Sequence, residues 1–427
     1  METRQREVAV VGTGMAGLVT AYLLHHDVQR RFRVRLIDKI TDVSLSAESI
    51  AVPATQSGQR DTWIDVPMRA FAGGFYHNLV RMYDYLGVNY HAQPFLFSFA
   101  RIARPTPSAS ASPPPAQHRP YMVHASNFHQ LPPVPRGDFV SWLLEALYVL
   151  FCYLYFTLCC FCVAPRHFKS GDAESLDQYL RRIRLPTYYV AHYVLPMISS
   201  GQPHFVVSDG VRVVQEKLLD GLDVRLGVQS TRVTPSADGG VLLSTRRVGD
   251  NHETTERVDL VVLAVSPDVA ATLFEPVQSV LHEVPTTTVH TAAHTDLGNV
   301  RENTGKSVPG PSQQIFFRSN DAITEAVHVQ PAHSLLVTTN PLTPIDPEKI
   351  VRAASFTRVL RSPRSRRLLK ELFREAPSSG AVEWRNGDGG VYLAGGWCWD
   401  GMVLLEGCVV SAMRVAESLG VKVPWKE

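Results

Sequence analysis

Residues 8–24 read VAVVGTGMAGLVTAYLL, and the next apolar run, VRLID, ends at Asp38. A short β-branched run thus enters a turn containing Gly12, Gly14 and Gly17 and continues as an apolar helical pattern. In such a unit the first glycine permits a tight turn, the second lets the backbone approach a pyrophosphate, and the third lets helix and strand pack closely. The alternative is a structural βαβ unit whose glycine spacing is accidental.

Two further features of this stretch favour dinucleotide binding. The free N–H groups at the start of the helix, around Met15 and Ala16, can hold phosphates. Asp38, followed by Lys39, comes about 20 residues after the last glycine, where a carboxylate can accept hydrogen bonds from ribose hydroxyls. Strand, glycines, helix, strand and acid in this order therefore predict a dinucleotide site that includes all of these residues.

Composition limits the class of protein. The 427 residues are 45% hydrophobic and 19% charged, enough for two or three domains with a large core. The net charge is only +2 and no basic run stands out in the sequence, so we expect no nucleic-acid partner. The cysteines form no His/Cys ligand set, so we expect no metal site. The dinucleotide unit begins within about ten residues of Met1, which predicts no cleavable secretion signal.

The order of patterns predicts an interleaved α/β fold. The dinucleotide unit opens the chain, strands ending in VDLVVLAV at 258–265 return in the middle, and a strand–glycine–helix pattern closes it. We therefore expect a Rossmann-like nucleotide-binding domain assembled from three chain segments and an α+β substrate domain. The predicted segments are 1–66, 205–270 and 385–427 for the first domain, and 67–204 and 271–384 for the second.

The second outstanding stretch is apolar. Residues 139–164 read FVSWLLEALYVLFCYLYFTLCCFCVA, and after Glu145 about 19 residues pass without a charge, the length of a bilayer span. The segment could span a membrane, lie against it, or line a tunnel for an apolar substrate. A span would put the halves of the interleaved domain on opposite sides, so we favour a helix or helical hairpin that dips into one leaflet. The Pro/Ser-rich stretch 104–120 is predicted to be a surface loop.

Motifs spread along the chain resemble those of FAD-dependent amine oxidases and phytoene desaturases. Within that superfamily the chain looks closest to the group of predicted NAD/FAD-binding flavoproteins of amine-oxidase type. Besides residues 8–24, the matching motifs are FYHNLVRMYDYLGV (75–88), YVLPMISS (193–200), VDLVVLAVSP (258–267), VHTAAHTD (289–296), LLVTTNPLTPIDPEKI (335–350) and the terminal VYLAGGW…LEG…SAMRVAESL.

The resemblance implies non-covalently bound FAD. It implies that the three glycines hold the pyrophosphate, that Asp38 holds the ribose and that the strand near Val228 lies beside the adenine. The remaining cofactor-binding residues implied by it are Val265, Gly395, Gly396 and Gly407, around the terminal turn and the helix that follows it. Glu406 could steer a proton or hold a ribityl hydroxyl of the cofactor, and the alternative is a carboxylate favoured by the helix N-terminus.

Two positions depart from the family pattern. The segment TDVSLSAESI (41–50) lacks the usual second glycine pair after the acidic residue. Leu404-Leu405-Glu406 stands where the family usually has a histidine–acid pair. A bound but redox-idle FAD therefore remains an alternative.

Trp397 and Trp399 flank Cys398 in the terminal glycine turn, and we predict that both form the wall of the catalytic pocket; the alternative is core packing. The predicted function is an FAD-dependent oxidoreductase that removes a hydride from a hydrophobic lipid, polyene or polyketide-like molecule. It would act at a membrane surface, in contact with lipid and with its cofactor domain on the cytosolic side. The alternatives are a non-redox isomerisation or cyclisation and a non-catalytic flavin-binding membrane protein.

Overall fold

The computed structural model describes residues 4–41, 43, 48–52, 62–102, 120–125, 138–168, 174–200, 203–297, 313–320, 323–330, 335–377, 380 and 382–426. The predicted loop 104–120 lies outside the described residues except at its last position. The strands are β1 Arg6–Val11, β2 Phe32–Ile37, β3 Glu48–Val52, β4 Thr62–Val66, β5 Phe71–Ala72, β6 Tyr90–Ala92, β7 Phe95–Arg101, β8 Met122–Ala125, β9 His204–Val207, β10 Asp223–Arg225, β11 Val228–Pro235, β12 Val241–Arg247, β13 Glu253–Val258, β14 Leu260–Leu263, β15 Thr286–His294, β16 Gln313–Ser319, β17 Thr324–Gln330, β18 Leu335–Thr339, β19 Ile350–Val359 and β20 Val391–Leu393.

The helices lie between groups of these strands along the chain. A π-helical turn, Val190–Val194, joins the fifth and sixth helices. The helices are α1 Met15–His25, α2 His77–Leu86, α3 Phe139–Cys162, α4 Leu176–Arg182, α5 Thr187–Tyr189, α6 Leu195–Ser200, α7 Val211–Leu219, α8 Pro267–Leu273, α9 Gln278–Leu281, α10 Pro363–Leu372 and α11 Leu405–Ser418.

A five-stranded parallel sheet has the order β10-β2-β1-β14-β20. Its strands come from three separate parts of the chain, which confirms the predicted α/β fold with a Rossmann-like domain built from three segments. Both faces are covered, as parallel sheets require. Val8 and Val10 of β1 face a core shared with α1 and α11, whereas Ala9 and Val11 face a second core on the other side.

A seven-stranded sheet has the order β19-β15-β18-β17-β16-β7-β8. All its neighbouring strands are antiparallel except β7 and β16, which pair in parallel although more than 200 residues separate Phe95 from Gln313 along the sequence. The smaller sheets are β11-β12-β13, β5-β9-β6 and β3-β4. The domain boundaries given above stay a prediction.

Helix α3 confirms the helical expectation for the apolar stretch. Among the described residues it is the one helix that is long and apolar enough to cross a membrane. Val149, Cys152 and Cys159 are buried in a cluster with α4 and the α5–α6 segment. Another part of the helix surface is apolar and exposed, through Phe139, Val140, Leu144, Leu147, Leu150, Phe151, Tyr153, Leu154, Leu158 and Phe161.

Candidate functional site

The turn between β1 and α1 is shaped by its glycines. Gly12 has φ +109°, and a Cβ there would lie 2.5 Å from the carbonyl oxygen of Ala264. A Cβ on Gly17 would lie 1.9 Å from the carbonyl oxygen of Gly12. A Cβ on Gly14 would meet nothing within 4 Å. The protein itself therefore requires two of the glycines, whereas the third leaves open space at the start of α1, where the predicted phosphates would lie.

Asp38 lies directly beside this turn. Its Oδ2 accepts hydrogen bonds from the backbone N–H and the hydroxyl of Thr13, at 2.7 and 2.8 Å. The backbone N–H of Val228 donates to the Asp38 carbonyl at 2.9 Å. The structure thus brings the acid, the start of β11 and the glycine turn together, while Lys39 is exposed. This arrangement fits the ribose and adenine ends of a dinucleotide.

The terminal turn packs tightly onto α11. The N–H of Gly395 donates to Ser411 Oγ at 2.9 Å. A Cβ on Gly396 would lie 3.0 Å from the carbonyl oxygen of Leu404, and one on Gly407 would lie 2.2 Å from Trp399 Nε1. These glycines therefore let the turn approach the start of the helix. Their contact with a cofactor stays a prediction.

Glu406 joins α11 to α2. Its buried carboxylate accepts hydrogen bonds from the backbone N–H groups of Asn78 and Leu79, both at 2.9 Å, and from the Asn78 amide at 2.6 Å. A carboxylate at a helix N-terminus is favoured because the N–H groups there have no partner within the helix. Glu406 thus stabilises the start of α2, and a cofactor contact stays a prediction.

The tryptophans of the terminal turn lie in packed surroundings. Trp397 is buried, donates its indole N–H to the Val265 carbonyl at 3.1 Å and meets Phe373 edge-on. Trp399 is half-buried and donates to the Met402 carbonyl at 2.8 Å. These contacts favour the packing alternative, and the predicted role in a pocket wall stays untested.

An apolar cavity of about 460 Å³ lies on one face of the seven-stranded sheet. Successive side chains of a strand point to opposite faces, so residues two apart line the same face. Four neighbouring strands form this wall through Phe95 and Phe97, Ile315 and Phe317, Ala326 and His328, and Val337 and Thr339.

The opposite wall of the cavity connects it with the glycine-rich regions. Tyr76 precedes α2, and Leu404 precedes α11, so the cavity reaches the two helix starts that Glu406 joins. Phe75, Ile198 and Met402 also line the cavity and are exposed at its rim. Trp397 and Trp399 are not among its lining residues.

His328 is the functional candidate that sequence reasoning missed. It is buried on the cavity wall, its Nε2 lies 2.7 Å from Gln313 Oε1, and burial lowers its pKa to about 4. The only signal for it was the alternation EAVHVQ at 325–330, with a histidine at an inward position of a strand. His290 and His294 both lie on β15, and no group of three or more His, Cys, Asp or Glu residues that could hold a metal ion occurs in the described part of the chain.

Comparison with known proteins gives two family matches. Residues 10–86 match the NAD(P)-binding Rossmann-like domain, and residues 149–312 match the flavin containing amine oxidoreductases. Together these matches support an amine-oxidase-like flavoprotein superfamily and indicate a flavin-type dinucleotide cofactor. Membership of the narrower group stays a prediction.

Among solved structures, the chain is similar to a fatty acid isomerase from P. acnes that produces CLA. The identity is 13%, the TM-score is 0.57, and the match covers 98% of this chain and 99% of the isomerase. At this identity the likeness concerns the fold. No curated protein matches the chain.

Proposed function

We propose that this chain is an FAD-dependent oxidoreductase that removes a hydride from a hydrophobic small molecule at a membrane surface. The observation that carries the proposal is the apolar cavity that reaches Leu404, the residue before α11. In the predicted site this helix start adjoins the flavin. Bound FAD would supply the hydride acceptor.

The chain's own residues would bind the cofactor, orient the substrate and exclude water from it. The open space over Gly14 fits the phosphates, and Asp38 beside it fits the ribose. Phe95, Phe97 and Phe317 make the cavity wall aromatic, which favours an apolar substrate and excludes water. Hydride transfer needs close approach in a dry site, which such walls provide.

The exposed face of α3 supports membrane contact. Glu145 is the one charged residue in the helix, and it accepts hydrogen bonds from the hydroxyls of Tyr188 and Tyr193, so it is turned toward the protein. Burying a leucine-sized side chain gains roughly 1.5–3 kcal/mol, and the helix exposes many.

The contacts of α3 favour lying in one leaflet over crossing the bilayer. The hydroxyl of Tyr179 donates to the Cys159 carbonyl at 2.9 Å, and that of Tyr155 donates to the Ile183 carbonyl at 2.5 Å. These bonds attach α3 to the body of the protein near its C-terminal end. A helix attached in this way would have to pull the body into the lipid in order to span it.

The experiment is anaerobic addition of extracted cellular lipid to the purified protein, followed by visible spectroscopy. We expect a yellow protein with one FAD per chain, released by acid, whose oxidised-flavin absorption bleaches on addition. A colourless protein that binds NAD instead would overturn the cofactor assignment. Flavin that stays oxidised with every lipid fraction would overturn hydride removal.

The likeness to the fatty acid isomerase fold favours a second candidate, a non-redox isomerisation of a hydrophobic substrate. The same experiment separates the two. An isomerase would return the flavin to its oxidised spectrum without oxygen, and mass spectrometry would show a product of unchanged mass. An oxidoreductase would leave the flavin bleached and a product lighter by two hydrogens.

A further inference from the structure

His328 brings a polar atom to an apolar wall. It lies on β17, and its ring is met edge-on by Phe95 with the ring centroids 6.0 Å apart. Its Nε2 has Gln313 as partner, but its buried Nδ1 has no hydrogen-bond partner among the described residues. A buried polar atom without a partner costs roughly 1–3 kcal/mol. Because Nδ1 has less than 1 Å² of accessible surface, a ligand hydroxyl in the cavity would reach it after a small shift of the wall and would remove that cost.

The contact with Gln313 fixes which proton His328 carries. Gln313 Oε1 accepts, so Nε2 holds the proton and Nδ1 presents a lone pair. Because burial lowers the pKa of His328 to about 4, the ring is neutral at physiological pH. The histidine therefore offers a hydrogen-bond acceptor and no positive charge.

The rest of the cavity wall narrows the ligand class. None of the described residues that line the cavity is Asp, Glu, Lys or Arg. Thr339 has the Thr291 hydroxyl as partner at 3.3 Å, and His204 contacts Phe95 and Phe97 through its ring. A carboxylate would thus lose its hydration without gaining a charged partner on the cavity lining itself.

We propose that Nδ1 of His328 accepts a hydrogen bond from the hydroxyl of an otherwise apolar ligand, so that the cavity takes hydrophobic alcohols. The inference rests on the proposed function for the idea that the cavity binds substrate. It adds the polar group by which the substrate is recognised and oriented. A hydroxyl held at His328 would fix the position of the adjoining carbon in the cavity.

The test compares four probes of the same chain length: dodecanol, its methyl ether, dodecane and dodecanoate. Affinities are measured by displacement of Nile red from the purified full-length protein, in one detergent. We expect dodecanol to bind about five- to tenfold more tightly than the ether or the hydrocarbon, the value of one hydrogen bond, and dodecanoate to bind most weakly. His328→Leu should abolish the preference for the alcohol, whereas Thr339→Val, on the same face, should retain it.

Equal affinities for dodecanol and its methyl ether in the wild-type protein would overturn the proposal, whether or not the His328→Leu protein folds. Tighter binding of dodecanoate would overturn it as well. The binding measurement is independent of flavin reduction. If the protein prefers dodecanol but no lipid bleaches the flavin, only the oxidoreductase function is contradicted. If a lipid bleaches the flavin but dodecanol and its methyl ether bind equally well, only the role of His328 is contradicted.

Discussion

The parallel sheet and the seven-stranded sheet serve the site in opposite ways. The parallel sheet contributes backbone: β1 ends in a turn where side chains are excluded at Gly12 and Gly17. The seven-stranded sheet contributes side chains, and four of its strands present one face to the cavity. Added side-chain atoms in the glycine turn should therefore destabilise the fold. Exchanged side chains on the cavity face of the seven-stranded sheet should instead change which ligands the cavity binds.

The largest effect is expected on the exposed apolar face of α3. Leu150 and Leu154 are 53% and 58% exposed on α3. Their joint replacement by lysine should weaken membrane binding by about 3 kcal/mol or more, since each buried leucine contributes roughly 1.5–3 kcal/mol. Membrane flotation should find the variant in the soluble fraction with flavin still bound.

Cys152 supplies the control for that prediction. It lies on the same helix but is 2% exposed, so Cys152→Lys should unfold the packed cluster and should not give a soluble folded protein. If the exposed-face variant instead aggregates and loses flavin, α3 is a buried core helix. That outcome would also remove the argument for a membrane surface.

Substitutions at Gly17 and Gly14 should distinguish the stability of the fold from the binding of the cofactor. Gly17→Ala should destabilise the fold by on the order of 3 kcal/mol, because its Cβ would overlap the Gly12 carbonyl. Gly14→Ala should change the free energy of unfolding by less than about 0.5 kcal/mol and yet lower bound flavin strongly. Urea unfolding and flavin content measure the two quantities; normal flavin in Gly14→Ala would place the phosphates elsewhere.

Glu406 connects the two regions through α2. Glu406→Ala should cost about 2 kcal/mol, since it leaves the N–H groups of Asn78 and Leu79 buried without their acceptor. Glu406→Gln keeps one acceptor oxygen and should cost less. Unfolding midpoints in urea give the comparison, and equal losses in the two variants would contradict a capping role.

The burial of His328 in the cavity wall should make the stability of the protein depend on pH. His328 has a pKa of about 4 in the folded protein, against 6.5 when unfolded. Below pH 6.5 the unfolded chain therefore binds a proton that the folded chain does not, and stability falls as the pH falls toward 4. Between pH 7 and pH 5 the wild-type protein should lose about 2 kcal/mol more than His328→Leu. If both proteins lose the same free energy of unfolding between pH 7 and pH 5, burial does not lower the pKa of His328.

The sequence predicted the parallel sheet because its signals are local. Glycine spacing, the acid after β2 and the apolar runs 8–11 and 260–263 are each contained in a short segment. Helix α3 was predicted for the same reason, from one uninterrupted apolar run. Such patterns identify an element without knowledge of its neighbours.

The cavity could not be predicted because its strands come from distant parts of the sequence. β7 pairs with β16 in parallel, and only this pairing brings Phe97 and Phe317 to one wall. The direction of the Trp397 side chain could not be predicted either: its indole N–H donates to the Val265 carbonyl, and its role in a pocket wall stays a prediction. Side-chain direction in an irregular turn depends on tertiary contacts that sequence spacing does not reveal.

In the proposed function, a substrate in the cavity reduces a flavin held by the glycine turn. Ala326 lines the cavity, whereas the glycines of the turn between β1 and α1 do not, so Ala326→Phe should narrow the cavity and leave the flavin bound. The most direct measurement is the rate of anaerobic bleaching of this variant by the lipid fraction that bleaches the wild-type protein. We expect an unchanged oxidised-flavin spectrum and bleaching slowed by roughly tenfold or more. This slowing corresponds to a rise of at least about 1.4 kcal/mol in the activation free energy. An unchanged bleaching rate would contradict the proposed function.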